Sequence, residues 1–425
     1  MAELIQPVKG MNDVLADQAP WWHRLESTAH ALFAAYGYRR IRIPVLERTE
    51  LFSRSIGELT DIVSKEMFTF DDHGDSLSLR PEATAGVVRA ALSNGLLHNQ
   101  QQKLWCSGPM FRREKPQKGR YRQFHQMSVE ALGYAEPEID AELIALSARL
   151  WRELTLSSVK LELNTIGTPE SRRAYRQVLV EYFSRQRDRL DGDSLRRLDV
   201  NPLRILDSKN PDLRELIDGA PQLTDYLDAD SRAHFDRVRE LLADVGVSYV
   251  LNPRLVRGLD YYSRTVFEWV TDRLGAQSAI CSGGRYDGLV AQLGGRDTPA
   301  VGWALGVERI VELMQAEGVT APDTPPDAQL VAAGDAERRF GFKLVELLRE
   351  RLPGFRIALG SPSAGFKAQL RHADKSGARV ALIVGEAELR AQKIAFKPLR
   401  GGNPQRLATV EECVDLLRQM RASSA

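Results

Sequence analysis

Cysteine and histidine are scarce in this chain, and neither is arranged for metal binding or disulfide formation. The 425 residues contain three cysteines, Cys106, Cys281 and Cys413, with no CxxC pair. We therefore expect no disulfide scaffold and a reducing, cytoplasmic environment, with all three thiols buried as small hydrophobic side chains. The seven histidines are scattered and form no HExxH motif, so we expect no transition metal held by the protein.

Long hydrophobic runs and an excess of charge of one sign are also absent. No apolar stretch approaches the ~20 residues that span a bilayer, and the first residues, MAELIQPVKGMNDV, lack the layout of a signal peptide. Lys and Arg total 58 against 57 Asp and Glu, a formal net charge of +1. We therefore expect no membrane partner, and any nucleic acid must bind a local basic patch.

Standard nucleotide-binding motifs are missing as well. The stretch from Gly360 has the glycine spacing of a P-loop, but Phe366 stands where the motif needs lysine and Lys367 where it needs Ser or Thr. No GxGxxG follows a predicted strand, which excludes a Rossmann dinucleotide site. The composition is that of an ordinary globular protein, with 43% hydrophobic and 27% charged residues. At roughly 150 residues per domain, the length predicts about two to four domains.

Hydrophobic periodicity predicts an α+β organisation before a Pro- and Asp-rich linker at 319–327. Helices are predicted at about 20–36, 82–92, 137–154 and 300–315. Strands are predicted at 39–44, 67–70, 76–79, 103–113, 122–132, 158–164, 265–270 and 276–282. The strands at 103–113 and 122–132 flank a polar loop, which is typical of antiparallel pairing.

Two further regions differ from this pattern in composition and in predicted secondary structure. Residues 167–246 are dense in Arg, Asp and Leu at helical spacing, which predicts a mostly helical insertion. After the linker, strand and helix patterns alternate over residues 328–425, which predicts a small α/β domain. Residues 1–318 then form the remaining, larger domain.

The strongest local feature is the basic stretch from Phe111 to Gln126. Six basic residues stand there against one acid, Glu114, in and beside the predicted hairpin loop. One interpretation is a solvated, charged loop, because loops are usually polar. The other is a polyanion site, in which guanidinium groups match phosphate oxygens.

The strand that follows this loop has an unusually polar face. Period-two geometry places the following side chains together: Arg122, Phe124, Gln126, Ser128 and Glu130. The small Ser128 between Gln126 and Glu130 leaves room for a ligand. An exposed sheet face is the alternative interpretation.

A second cluster combines the peptide at 257–262, RGLDYY, with the peptide at 282–288, SGGRYDG. Paired glycines allow either a close backbone approach to a ligand or tight packing. Taken alone, the second peptide is typical of a turn.

A third cluster, at 302–309, reads GWALGVER and is predicted to open the helix at 300–315. Gly302, Ala304 and Gly306 are too small to fill a core, so another group must approach them closely. Arg309 would then reach over that small-residue surface.

Together these stretches resemble the three signature motifs of class II aminoacyl-tRNA synthetases. The resemblance is strongest to the bacterial type of the histidyl-tRNA synthetase family and covers essentially the whole chain. The strand with Pro44 resembles motif 1, which builds the family's dimer interface, while 111–126 resembles motif 2 and 302–309 motif 3. The peptides at 257–262 and 282–288 resemble two peptides peculiar to the histidine enzyme. The chain departs from the family at Ala83, where glycine is common, and at Arg113, where histidine is frequent.

The resemblance implies both a fold and an activity. The fold is an antiparallel catalytic sheet flanked by helices, with the helical insertion and a C-terminal α/β anticodon-binding domain. The activity is ligation of L-histidine to its tRNA, with ATP consumed and Mg²⁺ bridging the β- and γ-phosphates. A cytoplasmic homodimer is implied as well.

Residue roles are also implied by the resemblance. Arg112 and Arg257 would be catalytic, acting on the α-phosphate from opposite sides. Histidine would be bound by Glu82, Thr84, Arg112, Gln126, Glu130, Arg257, Tyr261, Tyr262 and Tyr286. ATP would be bound by Arg112, Glu114, Arg120 and Arg309. The acceptor end of tRNA would meet the loop residues Gln117, Lys118 and Arg122.

Three alternatives remain open at this point. A non-catalytic, histidine-sensing regulatory subunit of ATP-phosphoribosyltransferase is related, but it typically lacks the C-terminal domain and loses phosphate-binding arginines. This chain keeps Arg112, Arg120, Arg257 and Arg309 and continues well beyond the linker. A class II synthetase for another amino acid is disfavoured by the 257–262 peptide, and the third alternative is a plain RNA-binding scaffold. Histidine-dependent exchange of pyrophosphate into ATP would separate them.

Overall fold

The chain divides into two compact units, Met1–Pro322 and Asp323–Ala425. The structure, a computed structural model, describes residues 4–57, 60, 62–117, 119–206, 208, 210–259, 261–275, 278–321, 325–361, 363–402 and 404–423. Within these ranges, every helix is too short or too polar to cross a membrane. All three cysteines are buried thiols, as their small hydrophobic character predicts.

The first unit contains ten α-helices and eleven strands among its described residues. The helices are α1 Ala19–Ala35, α2 Thr49–Ile56, α3 Thr84–Ser93, α4 Pro137–Glu153, α5 Pro169–Arg185, α6 Gly192–Val200, α7 Arg214–Asp218, α8 Ala229–Asp244, α9 Leu289–Gln292 and α10 Val307–Ala316. The strands are β1 Arg39–Arg40, β2 Leu46–Arg48, β3 Phe68–Asp72, β4 Asp75–Leu79, β5 Gln102–Phe111, β6 Gln123–Leu132, β7 Lys160–Thr165, β8 Val250–Leu251, β9 Ser263–Val270, β10 Ala279–Arg285 and β11 Ala300–Gly306. Short 3-10 or π-helical turns occupy Ile62–Glu66, Arg187–Arg189, Pro202–Ile205, Pro211–Leu213 and Leu223–Tyr226.

The central sheet of the first unit has the order β1-β5-β6-β11-β10-β9-β7-β8 among the described residues. The inner strands from β5 to β7 pair in antiparallel fashion, and each edge adds one parallel pair, β1 with β5 and β7 with β8. The predicted catalytic sheet is therefore confirmed, with parallel edges that the sequence does not reveal. A smaller sheet, β2-β4-β3, completes this unit.

The two faces of β6 bury chemically different side chains. Met127, Val129 and Ala131 pack with helices α1 and α4 in one apolar core. On the opposite face, Ser128 and Glu130 are completely buried. The alternative of a solvent-exposed sheet face is therefore wrong at these two positions, because the polar face lies inside the protein.

Residues 300–306 correct the predicted helix at 300–315. They form strand β11 between β6 and β10, and helix α10 begins only at Val307. Pairing on both sides satisfies the backbone groups of β11. Gly302 and Gly306 favour this outcome, because glycine costs about 1 kcal/mol relative to alanine inside a helix.

The glycine pair at 283–284 is another correction, because it continues strand β10 instead of forming a turn. A Cβ atom at Gly283 would lie 2.3 Å from the carbonyl oxygen of Gly302. The glycines therefore serve tight packing between neighbouring strands. The predicted strand at 39–44 is also shorter than expected, since only Arg39–Arg40 pairs.

The stretch at 167–246 is helical, as predicted, and contains α5 to α8. Side chains of α5, such as Tyr175, Leu179 and Phe183, join the same apolar core as Val87 of α3. The insertion therefore packs into the first unit through its own hydrophobic face.

The second unit is the α/β fold that the alternating pattern predicts. Its elements are β12 Ala328–Ala332, α11 Asp335–Arg351, β13 Ile357–Ala358, α12 Phe366–Lys375, β14 Val380–Val384, α13 Glu386–Ala391, β15 Ile394–Pro398, β16 Arg406–Ala408 and α14 Val410–Ala422. The strand order is β13-β12-β14-β15-β16, parallel up to β14 and antiparallel beyond it. Helix α13 and strand β16 are absent from the prediction because both are short.

Candidate active site

A cleft of about 260 Å³ brings together most of the side chains singled out in the sequence. One group consists of residues with an implied role toward the amino acid: Glu82, Thr84, Gln126, Tyr261 and Tyr262. The other group is dominated by guanidinium groups: Arg112, Glu114, Arg120, Arg257 and Arg309. We call these groups the amino-acid end and the phosphate end of the cleft.

Glu82 caps the helix that borders the amino-acid end. Its buried carboxylate accepts backbone N–H bonds from Thr84 at 2.6 Å and Ala85 at 2.9 Å, so α3 begins at Thr84 instead of Glu82. Burial raises the pKa of Glu82, and the two N–H bonds and Arg112 act against that shift. Part of the hydrogen-bonding capacity of Glu82 is thus committed to the fold.

Glu130 lies behind the wall of the cleft and is fully buried. The hydroxyl of Thr84 donates to one carboxyl oxygen at 2.8 Å, and the hydroxyl of Tyr286 donates to the other. Burial raises the pKa of Glu130 to about 8. A Cβ atom on Gly302 would lie 1.9 Å from this carboxylate, so the group that approaches Gly302 closely is the protein's own Glu130.

Glu130 and Tyr286 differ in position from the other implied histidine ligands, because neither lines the cleft. Tyr286 instead stacks edge-on against Tyr261, with ring centroids 5.5 Å apart. Tyr261 and Tyr262 do line the cleft and have centroids 4.7 Å apart. Contact between Glu130 and a bound amino acid therefore stays a prediction.

Gln126 presents an unsatisfied polar atom at the amino-acid end. Its Oε1 atom is buried and has no hydrogen-bond partner among the described residues. A buried acceptor left without a donor costs about 1–3 kcal/mol. A ligand that brings a donor, such as an ammonium group, would remove that cost.

Arg257 is held in place by three neighbours. Its Nη2 donates to the hydroxyl of Ser282 at 2.8 Å, its Nη1 pairs with Glu268, and its guanidinium lies 5.4 Å from the ring centre of Tyr262. Burial opposes the charge, but Glu268, Tyr262 and Tyr261 together outweigh it and raise the pKa of Arg257 above its ordinary value. The cleft therefore contains a fixed, permanently charged guanidinium.

The phosphate end is partly neutralised by one carboxylate, Glu114. Arg120 forms an ion pair with Glu114, and Arg112 lies 3.8 Å from it. Arg112 also donates from Nε to the carbonyl oxygen of Pro81 at 2.9 Å. Glu114 is largely buried, so its negative charge stabilises both arginines.

Arg309 connects the predicted motif 3 helix to the basic loop. Its Nε donates to the carbonyl oxygen of Gly119 at 3.0 Å, and its Nη1 donates to the carbonyl oxygen of Ala279. Burial lowers the pKa of Arg309, and the neighbouring charge of Arg120 lowers it further. An anion near these two arginines would relieve their repulsion.

Two of the implied acceptor-loop residues, Gln117 and Arg122, lie beside the cleft but do not line it. Gln117 and Arg120 exchange backbone hydrogen bonds across a tight turn in which Gly119 has a φ of +71°. Arg122 donates from Nε to the carbonyl oxygen of Glu114 at 3.3 Å. Lys118 lies outside the described residues.

Two carboxylates on α10 complete the site, and the sequence gives little sign of their role. Glu308 accepts from both the backbone N–H and the Nδ1 atom of His125 at 2.9 Å. Glu312 accepts from the hydroxyl of Tyr121 at 2.9 Å. Their spacing of four residues beside Arg309 is a usable signal for a shared helix face. This spacing does not indicate that the helix face contacts the basic loop, which lies far away in the sequence.

Both units are similar to known protein families. The model of the histidyl-tRNA synthetase family matches residues 10–310, and that of the anticodon binding domain matches residues 332–420. The chain is 56% identical to histidine–tRNA ligase of Halorhodospira halophila, covering 97% of this chain and 98% of that protein. It is 54% identical to the enzyme of the same name from Alkalilimnicola ehrlichii, covering 98% and 97%.

The fold is similar to that of a solved relative. The apo crystal structure of S. aureus histidyl-tRNA synthetase aligns with a TM-score of 0.82 and 33% identity, covering 98% of this chain and 100% of that one. Identity above one half over nearly the whole length, together with the cleft described above, leads to one conclusion. The chain belongs to the histidyl-tRNA synthetase family.

Proposed function

We propose that this chain is an aminoacyl-tRNA ligase that activates L-histidine with ATP and transfers it to the 3′-terminal ribose of its tRNA. The observation that carries the proposal is the cleft itself. It combines a phosphate end rich in guanidinium groups with an amino-acid end that holds the unsatisfied oxygen of Gln126. Family membership selects histidine as the amino acid.

In the first step, a carboxylate oxygen of histidine attacks the α-phosphorus of ATP. A new bond forms between that oxygen and phosphorus, the bond to the bridging oxygen of the β-phosphate breaks, and pyrophosphate leaves. No protein nucleophile is needed. The protein must align two anions and stabilise charge on the α-phosphoryl group, which we assign to Arg112 and Arg257. Because Ser282 and Glu268 hold Arg257 before the substrates arrive, little reorganisation is required.

The remaining phosphates are assigned to Arg120 and Arg309. Glu114 pairs with Arg120, so bound ATP would compete with Glu114 for that guanidinium. When bound, Mg²⁺ would neutralise part of the charge on the phosphates. Magnesium sites commonly use one or two carboxylates together with substrate phosphates, and Glu114 and Glu308 are cleft carboxylates of this kind.

Histidine selection is assigned to the amino-acid end. Glu82, Thr84 and Gln126 would bind the ammonium and carboxylate groups, while Tyr262 and the carboxyl of Glu130 would bond the imidazole nitrogens. A site built to complete such hydrogen bonds rejects analogues that lack them by up to ~10⁴–10⁵-fold. Glu130 would have to share its carboxyl with the substrate, since Thr84 and Tyr286 already donate to it.

The second step needs contacts with tRNA. We assign the acceptor end to the loop residues Gln117, Lys118 and Arg122, and the anticodon to the second unit, whose residues 332–420 match the anticodon binding domain. We also propose the domain bounds 1–318 and 328–425, a cytoplasmic location, and a homodimer formed through the region of Pro44.

The test is histidine-dependent exchange of labelled pyrophosphate into ATP, followed by charging of tRNA. Exchange that requires histidine, and not other amino acids, would support the proposed ligase. Histidine binding without any exchange would overturn it in favour of the histidine-sensing regulatory subunit. Exchange with a different amino acid would overturn the assigned specificity while leaving the class II chemistry intact.

A further inference from the structure

A short turn early in the chain contacts the basic loop at the phosphate end of the cleft. From residue 4 to residue 19, the described residues are exposed except for Gly10 and Met11, which are half-buried. The backbone N–H of Met11 donates to the carbonyl oxygen of Val8 at 2.9 Å, which closes a turn over residues 8–11. We call this segment the N-terminal turn. None of the residue roles assigned above uses it.

Gly10 gives the N-terminal turn its shape and one of its contacts. Its φ of +86° lies in the region that a type II turn requires at its third residue, where glycine is favoured. Its carbonyl oxygen accepts two backbone N–H groups, from Arg122 at 2.7 Å and from Gln123 at 3.3 Å. A carbonyl oxygen can accept both, because it carries two lone pairs. The turn is therefore attached where the basic loop returns to strand β6, which begins at Gln123.

The same glycine also packs against the outgoing limb of the basic loop. A Cβ atom at Gly10 would lie 2.7 Å from Cγ of Pro116 and 3.1 Å from Cγ of Arg122. The pyrrolidine ring of Pro116 is rigid, so it cannot rotate away from an added side chain. Pro116 belongs to one limb of the loop and Arg122 to the other, so Gly10 lies against both limbs.

Other contacts connect these limbs to the cleft. The backbone N–H of Arg112 donates to the carbonyl oxygen of Arg122 at 2.9 Å, and Arg122 donates from Nε to the carbonyl oxygen of Glu114 at 3.3 Å. Arg112 and Glu114 line the cleft. On the side of helix α10, Glu312 accepts from the hydroxyl of Tyr121. A shift of Arg122 away from the N-terminal turn would therefore also move Arg112 and Glu114.

We propose that the N-terminal turn is a positioning element for the basic loop, and that Gly10 is its decisive residue. The loop residues Glu114 and Arg120 form an ion pair in the cleft, and their positions depend on where the two limbs lie. A misplacement of about 1 Å is enough to impair a reaction that depends on alignment. The expected effect on ATP rests on the proposed function, whereas the contact between turn and loop does not.

The test adds one methyl group to the full-length protein. In Gly10→Ala, the new Cβ atom collides with Pro116 and Arg122, and alanine is strained at positive φ. The matched control is Gly37→Ala, which has similar strain at a φ of +80° but a Cβ atom with no neighbour within 4 Å. Gly10→Asn keeps the collision with less strain, because asparagine tolerates positive φ. Thermal melting verifies that each variant folds.

A rescue variant tests the contact itself. Gly10→Ala/Pro116→Ala removes Cγ of Pro116, which is the atom closest to the new methyl group. Pro116→Ala alone is its reference, because the loss of proline also changes the freedom of the loop. If the collision is the cause, the double variant should lie close to this reference.

Two measurements follow the loop and its function separately. Brief digestion with trypsin measures how readily the loop opens at Arg120 and Arg122, because cleavage requires local opening. Pyrophosphate exchange measures kcat and the KM values for ATP and histidine. In Gly10→Ala we expect faster cleavage and a KM for ATP raised about five- to tenfold. The KM for histidine and kcat should change less than about twofold, as for a loss of ground-state ATP binding.

Faster cleavage and a raised KM for ATP in Gly10→Ala, both reduced in the double variant, support the positioning role. The same changes in Gly37→Ala would show that backbone strain alone causes them, and would overturn the role. An unchanged KM for ATP in a folded Gly10→Ala also overturns it, even if cleavage is faster. A wild-type protein without pyrophosphate exchange would refute the proposed function, and the cleavage rates would then decide alone whether the turn holds the loop.

Discussion

The two ends of the cleft are built on opposite physical principles. At the amino-acid end and directly behind it, Glu82 and Glu130 are buried, accept hydrogen bonds from Thr84, and have raised pKa values because of burial. At the phosphate end, Arg112 and Arg120 meet Glu114 on or beside a loop. The amino-acid end is held in place by hydrogen bonds within the protein. At the phosphate end, a protein carboxylate balances the charge of the arginines, as a bound anion would.

This difference fits the ligands proposed for the two ends. A small amino acid offers few contacts, so selectivity requires polar groups held in a dry, fixed environment. A triphosphate carries a large charge, which a cluster of guanidinium groups attracts and neutralises. Arg257 belongs to neither pattern alone, because it is as rigidly held as the carboxylates and as charged as the loop arginines.

The largest expected effect is that of Arg257→Ala. Because this group would stabilise charge that develops on the α-phosphate, its loss should lower kcat more than it raises KM. By analogy with the removal of one oxyanion donor, we expect a drop of about 10²–10³-fold in adenylate formation. Arg257→Lys should also be impaired, since an ammonium group lacks the fork of a guanidinium. Single-turnover kinetics of both half-reactions measure this, and near-normal adenylate formation in Arg257→Ala would refute the role.

The second-largest expected effect distinguishes the amino-acid end of the cleft from the phosphate end. Glu130→Ala should weaken histidine binding by about 1–3 kcal/mol, the cost of leaving a buried polar partner without its hydrogen bond, and should affect ATP binding much less. Isothermal titration with each ligand measures the difference. Equal losses for both ligands would mean that Glu130 only supports the fold behind the cleft.

A pH effect tests the burial of the same carboxyl. The pKa of Glu130 is raised to about 8 from an ordinary value of 4.5, so between these values the folded protein binds a proton that the unfolded chain releases. The stability that comes from the proton bound to Glu130 is therefore fully present at low pH, and it is lost as pH rises toward 8. The loss is about 1.4 kcal/mol per pH unit at most. Urea unfolding at pH 6 and 7 should show this slope in the wild type and a smaller slope in Glu130→Gln. Identical slopes would contradict the raised pKa.

The smallest expected effect concerns the loop at the phosphate end. Glu312→Gln weakens the hydrogen bond from Tyr121, a residue whose pKa is raised to about 12 by burial and by Glu312. One such bond contributes about 1 kcal/mol, so KM for ATP should rise several-fold with little change in kcat. Tyr121→Phe should have the same effect, and the double variant should be no worse than either single one. A full loss of activity would show that Glu312 does more than position the loop.

The class of fold, and many of the side chains that line the cleft, could be predicted from the amino-acid sequence alone. Period-two alternation identified β6 and the side chains that share its polar face. The basic loop and the peptide at 257–262 indicated a site for a polyanion and a small ligand. These patterns are local, so they can be recognised without knowledge of contacts between distant residues.

Strand pairing and close packing between distant segments could not be predicted from local sequence patterns. Residues 300–306 form a strand because β6 and β10 supply partners on both sides, and the tight space at Gly302 exists because Glu130 fills it. Glu312 holds Tyr121 across 191 positions of the chain. Hydrogen bonds and close packing between distant segments outweigh local propensity by their combined energy. That is why the sequence could indicate candidate site residues but not which of them line the cleft and which lie behind it.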